Sequence, residues 1–109
     1  MYQIVYQETA LSDMRDIISY IAHDLENPTA AERLMSQMLE AADSLSDFPY
    51  KYQVYIPIRP LEYEYRIVRA GNYNLFYRIN ETDKTVIISR VIYSARNTAR
   101  IMHKLQQPF

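Results

Sequence analysis

The 109-residue chain contains no cysteine, no tryptophan and one glycine. Without cysteine there can be no disulfide, thiolate metal site or thiol nucleophile, which suits a reducing compartment. One glycine is too few for a glycine-rich phosphate loop, and His23 and His103 lie too far apart to suggest a ligand cluster. No Ser/His/Asp set or zinc spacing is present. No run approaches the ~20 apolar residues of a membrane span, and MYQIVYQETA lacks the charged and continuous apolar segments of a signal peptide. The expectation is a soluble, cytoplasmic protein without cofactor or metal. A chain of this length fits a single domain, residues 1–109, that buries about two-thirds of its unfolded surface.

What is present is unevenly spread. Residues 1–58 hold three basic side chains (Arg15, Arg33, Lys51) against nine acidic ones, a net charge of −6. Residues 59–109 hold nine basic against four acidic, a net charge of +5. Such a split favours an acidic partner on one side of the molecule. Eleven tyrosines cluster in or beside apolar runs, where half-buried β positions suit them, so packing explains most of them. Tyr93 alone has a basic context that invites a functional reading.

Alternation of Tyr2, Ile4 and Tyr6 predicts a short opening strand. From Leu11 the spacing becomes Leu11, Met14, Ile18, Ile21, Leu25, an amphipathic helix with Asp13, Asp16 and Asp24 on its other face. Asn27-Pro28 supplies an N-cap and a first-turn proline for a second helix. Its stripe is Ala31, Leu34 or Met35, Met38 and Leu45, widened by Leu39 and Ala42, and it stops before Pro49. The short connection makes the pair an antiparallel α-hairpin. Pro49, Pro57 and Pro60 exclude a central strand and leave a loop with an edge strand near Tyr52 to Ile56. Strands follow over Tyr63 to Arg69, Tyr73 to Ile79 and Thr85 to Tyr93, the last β-branched as a central strand should be. The turn between the first two holds Gly71, where a positive φ is the expected need. A final helix runs from Asn97 to Leu105. The fold class is therefore α+β: an N-terminal strand, an antiparallel α-hairpin, a three-stranded antiparallel meander and a C-terminal helix, with the helices on one side of the sheet.

Arg66, Arg69, Arg78, Arg90 and Arg96 lie on or just beyond these strands, where guanidinium groups suit an anionic partner. Arg66 falls on the opposite face from Arg69, and pairing of several with Glu62, Glu64, Glu81 and Asp83 is the structural alternative. Acid–base work would rest on Tyr93, since the basic strands offer little else.

The order of elements, with Tyr20-Ile21, Asn27-Pro28-Thr29-Ala30-Ala31, Tyr73-Asn74-Leu75-Phe76-Tyr77-Arg78-Ile79 and Ile88-Ser89-Arg90-Val91-Ile92-Tyr93-Ser94-Ala95-Arg96-Asn97, resembles the ParE/RelE toxin superfamily of bacterial type II toxin–antitoxin modules. The resemblance covers almost the whole chain. It implies a growth-inhibiting, plasmid-stabilising toxin neutralised by a cognate antitoxin, acting either by binding DNA gyrase (ParE-like) or as a ribosome-dependent mRNA interferase (RelE-like). It implies no membrane association and no sequence-specific DNA binding. The RelE-like nucleases carry lysines where this chain has Tyr65 and Ile67, an arginine where it has Asn74, and a tyrosine near Met102; Arg96 alone matches. Another nuclease branch is echoed by Arg66 and Tyr93. The chain thus looks closer to the ParE-like branch. The resemblance gives Arg69, Arg90, Tyr93, Arg96 and Arg100 as the target-binding set, or Arg66, Arg90, Tyr93 and Arg96 as a nuclease set. Leu34, Met38, Tyr65, Tyr73 and Tyr77 are the expected antitoxin contacts.

Overall fold

The computed structural model describes residues 1–96 and 98–104, apart from the side chain of Lys104. Strand β1 (Gln3–Tyr6) leads directly into helix α1 (Glu8–Ser19), which widens into a π turn over Tyr20–Asp24. Helix α2 (Pro28–Asp43) ends in a 3-10 turn at Ser44–Ser46. A long loop then reaches β2 (Arg66–Ala70), β3 (Tyr73–Asn80), β4 (Thr85–Tyr93) and helix α3 (Thr98–Lys104). The ends foreseen for the last helix, Asn97 and Leu105, lie outside the described residues.

The sheet order is β1-β4-β3-β2. The meander β2-β3-β4 is antiparallel, and β1 joins it parallel to β4, which makes β4 an inner strand as its composition foretold. The predicted edge strand at Tyr52 to Ile56 shrinks to one bridge, Val54 to Arg66, flanked by Tyr55 N–H to Tyr65 C=O at 2.8 Å and Ile67 N–H to Gln53 C=O at 3.1 Å. Pro57 and Pro60 cannot donate to a ladder, so pairing ends there.

Both faces of the sheet are covered. On one, α1 and α2 enclose Met14, Met38, Ala42, Leu45, Leu75, Tyr77, Val86 and Ile88 among others. On the other, Tyr65, Phe76, Ile92 and Met102 form a second cluster with Tyr55 and Leu61. Alternation along β3 produces this: Leu75 and Tyr77 face the hairpin, and Phe76 faces away. The expectation that all helices share one side is therefore corrected, because Met102 carries α3 to the face opposite the hairpin.

Local chemistry explains the joints. The Asn27 side chain accepts a hydrogen bond from the Ala30 N–H at 3.1 Å, and Pro28 opens the helix as expected. Gly71 takes φ +57, and a Cβ there would stand 3.3 Å from Leu34 and Gln37 side-chain atoms. Burial pushes the Tyr77 hydroxyl up to about 12, and it donates to the Pro49 carbonyl at 2.6 Å, tying the proline loop to the core.

Candidate target-binding cleft

The site is set by where β1 stops. Its last pairing with β4 is Tyr6 to Ile88, after which the Gln7 N–H bonds the Ile88 carbonyl at 2.9 Å and the chain turns into α1. The rest of that β4 edge would be left unpaired, and side chains of α1 take over the strand's role. Thr9 Oγ1 donates to the Ser89 carbonyl at 2.6 Å. One turn on, Asp13 Oδ2 accepts the Val91 N–H at 2.8 Å. Residues at i and i+4 share a helix face, so Thr9 and Asp13 meet alternate backbone groups of the strand.

A β-bulge falls at the same place. Phe76 pairs with Arg90 and Tyr77 with Ile88, so wholly buried Ser89 opposes no residue of β3. Beyond it the Arg90 guanidinium forms a bidentate pair with Asp13, Nε to Oδ2 at 2.7 Å and Nη2 to Oδ1 at 2.8 Å. The two side chains keep only 21% and 16% of their exposure, so the pair is shielded. Bidentate charge-assisted geometry of this kind is both strong and orienting.

Past this pair the β4 edge opens into a cleft of about 270 Å³ between α1 and the end of β4. Asp13, Asp16 and Tyr20 line it from the helix side, and Tyr73, Arg90, Tyr93 and Arg96 from the sheet side. The Tyr73 and Tyr93 rings lie 5.4 Å apart, tilted by 58°. Burial foremost, then the neighbouring Tyr93 and Tyr20 hydroxyls, raise the Tyr73 pKa. Among the described residues no group of three or more acidic or histidine side chains is arranged to hold a metal ion.

Of the sequence candidates, Arg90, Tyr93 and Arg96 thus converge, with Tyr93 and Arg96 exposed and Arg90 held by Asp13. The partner of Arg90 is a helix acid of the first half, not Glu62, Glu64, Glu81 or Asp83. Arg69 lies on β2 and donates Nε to the Gly71 carbonyl at 3.0 Å. Arg100 is exposed on α3. Arg66 stands apart: its Nη1 donates to the Tyr52 carbonyl at 2.7 Å, its guanidinium lies over the Tyr50 ring, and Glu64 is 3.7 Å away. With Arg78, stacked 4.0 Å from the Tyr63 ring centre, it lines a second, smaller hollow. Arg66 therefore braces the proline loop and does not join Arg90, Tyr93 and Arg96.

Of the five residues expected to meet an antitoxin, four lie in the core. Leu34, Met38, Tyr65 and Tyr77 are buried in the two core clusters, where a partner cannot reach them without unfolding; Tyr73 alone of the five lines an open surface. The sheet itself covers the apolar stripe of the hairpin. Sequence reasoning also missed Asp13, Asp16 and Tyr20 as cleft residues. Their spacing on one helix face was the available signal, but nothing in it points to β4.

The family model of the ParE toxin of the type II toxin–antitoxin system parDE matches residues 4–98. The chain belongs to the ParE toxin family. It is a toxin of the ParE/RelE superfamily of type II toxin–antitoxin systems. Solved structures resemble it on both sides of that superfamily. The toxin–antitoxin complex RelBE2 of Mycobacterium tuberculosis shares 26% identity at a TM-score of 0.58, over 84% of this chain and 96% of that one. A chromosomal ParDE system from P. aeruginosa shares 15% identity but a TM-score of 0.66, over 85% and 96%. The isolated E. coli RelE toxin shares 16% at 0.54, over 93% of both chains. At 15% and 16% identity these last two speak for the fold alone. A comparison with curated protein sequences finds no match. No helix among the described residues of this ParE-family toxin is long and apolar enough to cross a membrane.

Proposed function

We propose that this ParE-family toxin arrests growth by binding DNA gyrase, in the cytoplasm, and is held inactive by a cognate antitoxin. The observation that supports binding over catalysis is the Arg90–Asp13 pair. A guanidinium whose Nε and Nη2 are both spent on a carboxylate has little left to offer a scissile phosphate. Among the described residues the cleft lining contains no imidazole and no lysine, so proton transfer there would fall to its tyrosines and to Asp16. A binding surface needs neither, and exposed Arg96 and Tyr93 are residue types enriched where proteins meet.

The direct test is supercoiling by purified gyrase with the full chain added. The wild-type chain inhibits, and Arg96→Ala, an exposed side chain whose loss leaves the core intact, reduces inhibition at least tenfold. Undiminished inhibition by the variant overturns the surface assignment, and no inhibition by the wild type overturns gyrase as target. The second reading, a ribosome-dependent endoribonuclease, draws on Tyr93 and Arg96 lining the same cleft. It predicts cut transcripts in ribosome-containing reactions, with less cutting by Tyr93→Phe.

A further inference from the structure

The same cleft has a chemistry that an arginine-lined, anion-seeking surface would not have. Arg90 is neutralised by Asp13, which leaves exposed Asp16 as the remaining carboxylate of the cleft wall and Arg96 on the exposed loop after β4. Among the described residues nothing bonds to the Asp16 carboxylate. Around it stand three tyrosines, Tyr20, Tyr73 and Tyr93, of which Tyr20 and Tyr93 are well exposed. Tyrosine faces attract cations, and phenol and carboxylate oxygens accept hydrogen bonds. Ile17 and Ile101 add apolar lining, which accommodates the methylene stem of a long side chain. The cleft also opens on the acidic face of α1, which carries Asp13 and Asp16.

We propose that this cleft is a receptor for an arginine side chain presented by a partner polypeptide. The guanidinium stacks between the Tyr20 face and the Tyr73–Tyr93 pair and donates to Asp16, while its stem lies over Ile17 and Ile101. Arginine is favoured over lysine because its planar, weakly hydrated head group stacks on aromatic rings and pairs with a carboxylate at once. Arg96 at the rim opposes the entering charge and sets an upper limit on affinity. The site is defined by the chain alone and does not depend on which cellular target the toxin meets.

The test uses the full chain, isotope-labelled in a cell-free reaction so that growth arrest selects against nothing. It is titrated with N-acetyl-arginine methylamide, and with the uncharged citrulline and the lysine counterparts, followed by nuclear magnetic resonance. Expected are saturable shifts at Tyr20, Tyr73 and Tyr93 with the arginine compound, weaker ones with lysine and none that saturate with citrulline. Asp16→Asn should weaken binding about tenfold, equivalent to about 1.4 kcal/mol, and Arg96→Gln should strengthen it two- to threefold, a sign that mere loss of structure would not give. Amide dispersion away from the cleft reports that each variant is folded. Equal responses to arginine and citrulline, a lysine response at least as strong as that to arginine, an unchanged affinity in Asp16→Asn, or no saturable shift in the wild type overturns the proposal.

Discussion

Asp13 shows how much one side chain can carry. It satisfies a backbone N–H at the end of a ladder, fixes the rotamer of Arg90, and joins α1 to β4 across most of the sequence. Removing it leaves a guanidinium and an N–H partly buried and unpaired, so Asp13→Ala should cost about 2–3 kcal/mol. Asp13→Asn should cost about half as much, because its amide oxygen still accepts from Val91. Urea unfolding of the two variants checks both the size and the order. Gly71 is the other position where one atom matters: at φ +57, with Leu34 and Gln37 atoms 3.3 Å from an added Cβ, Gly71→Ala should destabilise by about 1–2 kcal/mol in the same experiment. That requirement was legible in the sequence, since the one glycine fell between two strand-like runs. The role of Asp13 was not, because its two partners lie on a strand whose place in the sheet is fixed only by tertiary pairing.

Among the elements, what the sequence revealed and what it hid follow from periodicity. Regular repeats were mostly readable: β3 faces its core with Tyr73, Leu75, Tyr77 and Ile79, and α2 buries Ala31, Leu34, Met38 and Ala42 as the spacing predicts, although Leu39, expected to widen that stripe, is exposed. Interruptions of a repeat were not. In α1 the buried residues are Ala10 and Met14, whereas Leu11 is exposed, as is Leu25 just past the π turn. The π turn explains Leu25: its N–H bonds the Tyr20 carbonyl at 3.0 Å, five residues back, and the extra residue rotates everything beyond it off the stripe. The bulge at Ser89 likewise shifts β4 by one residue, so Ile88 and Val91 share a face, and no glycine or proline marks it. The side taken by α3 was also hidden, since seven residues give too short a pattern to choose a face. Wholly buried Met102 makes that choice. Met102→Ala should cost about 2–4 kcal/mol and speed hydrogen exchange throughout α3, whereas Met102→Leu should stay within about 1.5 kcal/mol. Equal exchange in all three chains would show that α3 is held by something other than Met102.

At the scale of the whole molecule, the fold does not keep the two charge halves of the sequence apart. Asp13 of the acidic half is sewn to Arg90 of the basic half, and the cleft gathers two acids with two arginines, so the steering field expected from a −6/+5 split is partly cancelled where it was to act. A second junction joins distant parts of the chain by other means. The Glu81 carboxylate, in the turn between β3 and β4, accepts from the Tyr2 hydroxyl at 2.8 and 2.9 Å, from the Tyr50 hydroxyl and from Lys84. It thereby clasps the N-terminus, the proline loop and the meander together. Lys84 first, then the Tyr50 and Tyr2 hydroxyls, hold Glu81 down at about 2, below its ordinary 4.5. A depressed carboxylate contributes stability above its unfolded pKa and loses it as pH falls through the folded value. The clasp should therefore be fully engaged above about pH 5 and lost between pH 4.5 and 2. Thermal melts of the wild type and Glu81→Gln should differ by a constant amount at neutral pH and converge across that window. Because the group is exposed, added salt should shrink the difference as well. A gap that persists at pH 2 would mean that the glutamate shapes the turn and that its charge holds nothing together.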